Sequence, residues 1–309
     1  MKKNKYLIQV YTSFVTSSHL YIKGRVLKDR SPTVFAEQGP ISSLFNTILR
    51  ARSTELPDIP IKCVFGDHTF EVVTDDEGYF EIFHNITDKT AIPKKVRISG
   101  HVKGEHISFD RELRAYLYDV PKGIISDIDD TLLVSRVRSF FKLKMLFNTA
   151  FVNPFRRKPI KNAAEALHLM SRNTEGQSPI IYLSNSPWNL YDYLQAFLLH
   201  NAFPIGEVIL RDMGVQLLRS REINEYNKYI EIEKLLLAFG DTTFTMIGDT
   251  AEKDFDIYTA IAEKHPGRIE RIILNDVGNQ KKTDEVNRYL SENGSKTKVV
   301  IVDDYMKMV

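Results

Sequence analysis

Gly123-Ile-Ile-Ser-Asp-Ile-Asp-Asp-Thr131 is the stretch from which the rest of the chain is read. A short apolar strand, Gly123 to Ile125, runs into a turn carrying Asp127 and Asp129, and the turn ends at Thr131 ahead of a helix-like run, Leu132 to Val134. Two carboxylates two residues apart at the end of a buried strand repel each other, and burial opposes the charge of both. Something has to compensate them. The ready candidate is Mg²⁺, which takes hard oxygen ligands and keeps several waters beside one or two carboxylates. The competing reading is an Asp-rich turn capping a helix, with Asp130 as an ordinary first-turn acid.

Outward from this stretch, 309 residues suit two domains on the usual scale of roughly 100 to 200 residues each, and a hydrophobic content of 43% supports a sizeable core. The net charge of +2 says little about partners, so local clustering carries that question. A single cysteine, Cys63, excludes an intramolecular disulfide framework and fits a reducing compartment. Within Ile61 to Phe65 it reads as a small buried apolar residue. Met1-Lys-Lys-Asn-Lys5 resembles the charged start of a signal peptide, but Gln9, Tyr11, Thr12 and Ser13 break the apolar run behind it. No run of about 18 apolar residues occurs. The expectation is a cytoplasmic protein, with peripheral contact to a membrane left open.

Residues 1–119 read as a β-rich binding or positioning domain. Strand candidates are Tyr6 to Val15, Leu20 to Val26, Ile61 to Phe65, Thr69 to Val73, Tyr79 to Phe83, Val96 to Gly100 and Leu113 to Leu117. Their spacing argues an antiparallel sandwich. Thr74-Asp-Asp-Glu-Gly78 reads as a hairpin turn, with Gly78 free to take positive φ. Between Arg30 and Pro60, Ile41, Leu44, Phe45, Ile48 and Leu49 follow helical spacing and suggest a helix-bearing insertion.

Residues 120–309 alternate strands with amphipathic helical runs. Strand candidates are Gly123 to Ser126, Ile180 to Leu183, Glu207 to Leu210, Phe244 to Ile247, Arg268 to Leu274 and Lys298 to Val302. Such alternation predicts an α/β domain, a parallel sheet covered on both faces, with its site at the carboxyl ends of the strands. In Ile180-Ile-Tyr-Leu-Ser-Asn-Ser-Pro-Trp-Asn-Leu190 a strand stops at Ser184, and a helix is expected with Ser186 as N-cap and Pro187 in its first position. A helix N-terminus beside a free hydroxyl is an anion seat; the alternative is that both serines serve only turn and cap. In Phe244-Thr-Met-Ile-Gly-Asp-Thr-Ala-Glu-Lys-Asp254 an apolar strand ends in Gly248-Asp249, and Asp254 follows five residues on. Gly248 is read as permitting a tight turn that lets Asp249 face Asp127, against the alternative of an Asp N-cap. Three strands ending in Asp, Ser and Asp within one alternating domain are hard to obtain by chance. Lys228, at the head of the apolar run Tyr229, Ile232, Leu235, Leu236 and Phe239, is the candidate cation for a phosphate, with Lys234 its competitor.

The strand followed by Asp-x-Asp-x-Thr resembles motif I of the haloacid dehalogenase superfamily. More widely, the second domain resembles the catalytic domain of the actin-patch-protein type of phosphatidate phosphatase, a branch of that superfamily. The resemblance covers nearly all of residues 120–277. It rests on Ser126-Asp-Ile-Asp-Asp-Thr131, Leu183-Ser-Asn-Ser-Pro-Trp-Asn-Leu-Tyr191, Leu210-Arg-Asp212, Gly248-Asp-Thr-Ala-Glu-Lys-Asp254 with Ile257-Tyr258, and His265-Pro-Gly-Arg268. It implies a haloacid dehalogenase-like Rossmannoid parallel sheet and hydrolysis of a phosphomonoester through an aspartyl-phosphate. Asp127 is then the nucleophile and Asp129 the general acid and base. Mg²⁺ sits on Asp127, Asp249 and the backbone carbonyl of Asp129. Ser184, Asn185 and Lys228 hold the phosphate, while Lys253 and Asp254 stand behind them, Asp254 orienting Lys228 or a metal-bound water. The family commonly has Ser where Asn185 stands and His where Asn227 stands, which bears on lipid specificity. Trp188 matches a family position, as a substrate or membrane contact or as packing between helix and sheet.

Between the first and second motifs, residues 136–161 form a basic, Phe-rich insertion. Arg136, Arg138, Lys142, Lys144, Arg156, Arg157, Lys158 and Lys161 meet no acidic residue, and Phe140, Leu143, Phe147 and Phe151 follow helical spacing. That stripe suits either an anionic bilayer surface or the protein core. A phosphorylated lipid is the expected substrate, with Arg136, Arg138, Lys142, Phe140 and Phe147 as candidate contacts; a soluble phosphomonoester and an inactive membrane-binding module are the alternatives. No nucleic acid is expected, because no recognised binding fold accompanies the patch.

Overall fold

A computed structural model of the chain describes residues 6–28, 56–86, 92–117, 120–134, 157–173, 176–211, 221–251, 253–294 and 297–308. The helix expected within 41–49 and most of the basic insertion, including Arg136, Arg138, Phe140, Lys142 and Phe147, lie outside the described residues. Two compact units form: Met1–Asp119 with Pro187–Tyr193 and Asp212–Arg219, and Val120–Ser186 with Leu194–Arg211 and Ser220–Val309.

Among the described residues of the first unit, eight strands make two four-stranded sheets. They are β1 (Tyr6–Thr16), β2 (His19–Lys28), β3 (Pro60–Phe65), β4 (His68–Val73), β5 (Tyr79–Asn85), β6 (Lys95–Val102), β7 (Glu105–Glu112) and β8 (Arg114–Tyr116). One sheet has the order β5-β2-β1-β8, the other β4-β3-β6-β7. Pairing is antiparallel except between β1 and β8. Alternate residues of both sheets, among them Ile8, Leu20, Ile22, Ile61, Cys63, Phe65, Ile98 and Ile107, share one apolar core. Burial there pushes the Cys63 thiol up to about 12. The outer face of β6 and β7 carries matched cross-strand pairs, Lys95 with Glu112 and Arg97 with Asp110.

Two strand readings change. Thr74–Gly78 is a turn, with Gly78 at φ 86° and the Asp75 carboxylate accepting from the Glu77 and Tyr79 amides. It is not a hairpin, because β4 and β5 belong to different sheets. Sequence pattern also missed β7, whose Glu-His-Ile-Ser-Phe-Asp-Arg-Glu offers only Ile107 and Phe109 to the inside. An edge strand needs no more apolar residues than that.

The second unit is built on a six-stranded sheet. Its strands are β9 (Lys122–Ser126), β12 (Ile180–Pro187), β13 (Glu207–Arg211), β14 (Thr243–Asp249), β15 (Ile269–Asn275) and β16 (Lys298–Val302); the two-residue strands β10 (Arg172–Asn173) and β11 (Gly176–Gln177) form a separate hairpin. The order is β13-β12-β9-β14-β15-β16, with parallel pairing from β12 through β16. Helices α1 (Ala163–Ser171), α2 (Tyr191–His200), α3 (Arg221–Ala238), α4 (Asp254–Lys264) and α5 (Gln280–Asn293) accompany it. Successive buried residues in β9, β12 and β14, rather than alternate ones, show a sheet covered on both faces. Gly123 is glycine because β14 crowds it: a Cβ there would lie 2.8 Å from Phe244 Cδ1. After β9 the chain builds β12 and β13 on one side and then returns to add β14 on the other, which makes the carboxyl ends of β9 and β14 a topological switch point.

Leu132 to Val134 is not helical. The chain turns there, and Leu133 makes isolated bridges to Asp129 and Pro159. Nor does a helix start at Pro187. Strand β12 continues through it, a 3₁₀ turn follows at Trp188–Leu190, and α2 begins only at Tyr191.

Candidate active site

Four strand ends converge at the switch point. Ser126 closes β9, and its hydroxyl donates to the Asp127 carbonyl at 2.8 Å while the Asp127 amide donates to the Ile247 carbonyl of β14 at 2.8 Å. Asp127 is thereby fixed against the neighbouring strand, and it is 1% exposed. Asp249, the last residue of β14, is fully buried. Asp254 opens α4 and is equally buried; a helix N-terminus favours a carboxylate at that position.

Gly248 has a different role from the one its sequence context suggests. No left-handed conformation is found there. Instead, a Cβ at 248 would lie 2.6 Å from Asp254 Cβ and 2.7 Å from its Cγ, so the glycine makes room for that side chain. Asp254 then accepts from the Asp249 amide at 3.3 Å. One oxygen from each of Asp127, Asp249 and Asp254 lies within 4.8 Å of the others.

Lys228 enters from α3 on the same face as Ile232, Leu235 and Leu236. One turn before that apolar stripe, its ammonium is carried inward and ends buried. It donates to Asp127 Oδ1 at 3.1 Å and to Asp254 Oδ1, with the Tyr258 ring 5.5 Å away. Lys234, its competitor in the sequence, pairs instead with Glu231 on the helix surface. Among the described residues three buried carboxylates thus meet one ammonium, an excess of negative charge that burial makes expensive. A hard divalent cation fits this donor set: oxygen ligands only, close together, with charge to neutralise. The Thr131 and Thr250 hydroxyls are buried with no hydrogen-bond partner among the described residues, further oxygens that a ligand can serve.

Asp129 stands apart from this triad. Its Oδ2 accepts from the hydroxyls of Ser184 and Ser186, each at 2.9 Å. Burial pushes its carboxyl above the usual range, while the two hydroxyls pull in the opposite direction. Ser186 therefore acts on Asp129, not as a helix cap; the Ser184 hydroxyl also accepts from the Ser186 amide at 2.9 Å. Asn185 between them is half-buried.

The remaining candidates fall elsewhere. Lys253 pairs with Asp256 at 2.8 Å. Trp188 is 2% exposed and stacks on Tyr11 at 4.6 Å within the first unit, the packing role that was the alternative to a substrate contact. His265 pairs with Glu233, and Arg268 donates to the carbonyls of Leu236 and Thr242 at the end of α3, a structural use of that motif. Two residues that the sequence did not single out join the site's frame. Asn275 ends β15 and donates to the Asp130 carbonyl at 2.8 Å; Tyr305 donates to the Thr131 carbonyl at 2.9 Å. Asn275 carried the same signal as Ser184 and Asp249, a polar residue ending an apolar strand. Nothing in the sequence around Tyr305 marks it.

Comparison with known proteins agrees with the motif-based resemblance. The chain is 30% identical over 215 residues to the uncharacterised protein C29B5.04c of Schizosaccharomyces pombe, covering 67% of this chain and 34% of that protein. It is 26% identical over 153 residues to phosphatidate phosphatase APP1 of Saccharomyces cerevisiae, covering 49% of this chain and 25% of that protein. The chain thus spans about a third and a quarter of the length of these relatives. Among solved structures, the Pnkp1/Rnl/Hen1 complex aligns at 15% identity over 63% of this chain and 54% of that one, with a TM-score of 0.33 that is too low to carry an argument. The family described as "Phosphatidate phosphatase APP1, catalytic domain" matches residues 122–276, half of the chain and the stretch that holds every strand end described above. By that match the chain belongs to the phosphatidate phosphatase APP1 catalytic-domain family.

Proposed function

We propose that the chain is a Mg²⁺-dependent phosphomonoester hydrolase of haloacid dehalogenase type that converts phosphatidate to diacylglycerol. The observation that carries this reading is the division of labour between two aspartates two residues apart. Asp127 is held beside an ammonium in a charged cluster, whereas the Asp129 carboxyl is held by hydroxyls with its proton affinity raised.

In the first step an Asp127 oxygen forms a bond to phosphorus as the bond to the ester oxygen breaks. Asp129 gives its proton to the departing alkoxide. In the second, Asp129 takes a proton from water as the water oxygen attacks phosphorus, and the bond to Asp127 breaks with release of phosphate. Splitting one displacement into two in this way is the gain from covalent catalysis. Lys228 transfers its contact from Asp127 to a phosphoryl oxygen, and the Ser184 hydroxyl, which donates to Asp129 in the free site, is assigned to a second phosphoryl oxygen. Asp127, Asp249 and Asp254 would hold the metal, with the Asp129 carbonyl as the further ligand expected from the family resemblance. When bound there, Mg²⁺ offsets the repulsion between carboxylate and phosphate dianion.

A lipid substrate and peripheral contact to anionic membranes are supported by the family and by the basic, Phe-containing stretch 136–161; a single cysteine, which fits a reducing compartment, supports a cytoplasmic assignment. The test is phosphate release from phosphatidate in mixed micelles with Mg²⁺, comparing the native chain with Asp127→Asn. Release that the substitution abolishes supports both chemistry and substrate. Asp127-dependent release from water-soluble phosphomonoesters alone would overturn the lipid assignment and keep the chemistry. Inactivity on every phosphomonoester would overturn both.

A further inference from the structure

The turn between the two aspartates and α1 is held at three successive carbonyls by groups from separate parts of the chain. Asn275 Nδ2 donates to Asp130 O at 2.8 Å, Tyr305 Oη to Thr131 O at 2.9 Å, and the Ile160 amide to Leu132 O at 2.8 Å. Asp130 itself has φ 53°, a left-handed conformation that Asp adopts more readily than most residues and that the turn needs at this point. Those bonds, with the Asp130 amide donating to Leu133 O at 2.9 Å, hold it there.

Tyr305 is the most remote of these groups. It is 1% exposed, opens the 3₁₀ turn Tyr305–Met308, and lies outside the family match, which ends at residue 276. Its own segment is anchored independently. The Asp304 carboxylate accepts from Asn162 Nδ2 at 2.9 and 3.0 Å and from the Met306 amide at 3.0 Å, and Arg271 Nη1 donates to Met308 O at 3.1 Å. A phenol mounted on so fixed a support can impose a position on the carbonyl it binds.

We propose that Tyr305 is a positioning residue for Asp129: by fixing the Thr131 carbonyl it holds the left-handed Asp130 turn, and with it the direction in which the Asp129 carboxyl meets Ser184 and Ser186. The segment around Tyr305 then sets the geometry of the acid without touching substrate. This inference rests on the proposed reaction for its catalytic consequence, though not for the clamp itself.

Tyr305→Phe tests it, because the ring that fills the site stays and only the donor is lost. Two readouts are taken together: amide hydrogen exchange across residues 128–134, and kcat and KM for phosphate release from phosphatidate. The expected result is faster exchange confined to 128–134, a fall in kcat of about tenfold, and KM unchanged within about twofold, since misplacing a catalytic group affects the chemical step first. Asn275 holds the same turn from its other side, so Asn275→Ala combined with Tyr305→Phe should lose little more than the worse single variant. Should Tyr305→Phe fail to fold, Asp304→Ala, which frees the support without touching the turn, must give the same exchange pattern. Unchanged exchange overturns the clamp. Faster exchange with kcat unaltered overturns the positioning role and leaves Tyr305 merely structural. A native chain inactive on all phosphomonoesters overturns the proposed reaction and the positioning role with it, and is told apart from failure of the clamp alone, where native chain and variant are equally active.

Discussion

At position 248 the side chain is a hydrogen because Asp254 occupies the space that a carbon would need. Gly248→Ala should therefore push Asp254 away from Lys228 and the Asp249 amide. Overpacking of this kind destabilises by about 1–3 kcal/mol, and displacement of a ligand-bearing carboxylate by an ångström lowers kcat by roughly 10²-fold. Thermal denaturation and phosphate release measure the two effects; a variant with native activity would show that Asp254 has slack. Several of these residue contacts were legible beforehand. Asp127, Asp249 and Lys228 could be read because a charged residue interrupting or ending an apolar run has few bland explanations. Asp254 could be read as the group that orients Lys228, and it accepts from that ammonium, whereas Ser186 reaches Asp129 and not the helix start its spacing suggests, since sequence spacing does not say which carboxylate a hydroxyl will reach. Tyr305 was illegible: its partner is a backbone carbonyl 174 positions away, and backbone carbonyls leave no mark on a sequence.

Among the elements, strands were more readily recognised than their ends. Apolar runs such as Ile180 to Leu183 announce a buried strand, but β12 runs on through Ser-Asn-Ser-Pro187, where composition argues for a cap and a helix start. Edge strand β7 escaped because half of its surface faces water. The β1–β2 hairpin yields a prediction at this scale. His19, at the start of β2, is 5% exposed, with Nδ1 2.9 Å from the Ser18 hydroxyl and its ring stacked on Phe83 at 4.8 Å. Burial first, and the neighbouring His84 second, hold its pKa below the usual 6.5. The unfolded chain therefore binds a proton that the folded chain refuses. Stability contributed by this group is complete above pH 6.5 and is lost as pH falls through that value toward the folded pKa. Urea denaturation at pH 7.5 and 5.5 should show the loss, and His19→Gln should reduce it; an unchanged slope would contradict the assignment.

For the whole molecule, the buried cluster of Asp127, Asp249 and Asp254 predicts that folding of the second unit responds to cation concentration. A cation that binds only the folded chain, present at 100 times its Kd, adds about 2.7 kcal/mol. Differential scanning calorimetry should show Mg²⁺ raising the transition temperature and a chelator reversing the rise, with Asp249→Asn abolishing the response; a shift that survives the substitution would place the ion elsewhere. Among the described residues no helix is long and apolar enough to cross a membrane. Architecture at this scale was the most legible of all, because alternation of strand and helix needs only periodicity, while the order of strands needs contacts. One contact in that sheet reaches into heredity. The absent side chain at 123 and the ring at 244 share a single space across neighbouring strands. They should consequently drift as a couple. Gly123→Ala alone should fail, Gly123→Ala with Phe244→Leu should recover much of the loss, and a library randomised at both positions and selected for activity should return pairs whose combined bulk stays nearly constant.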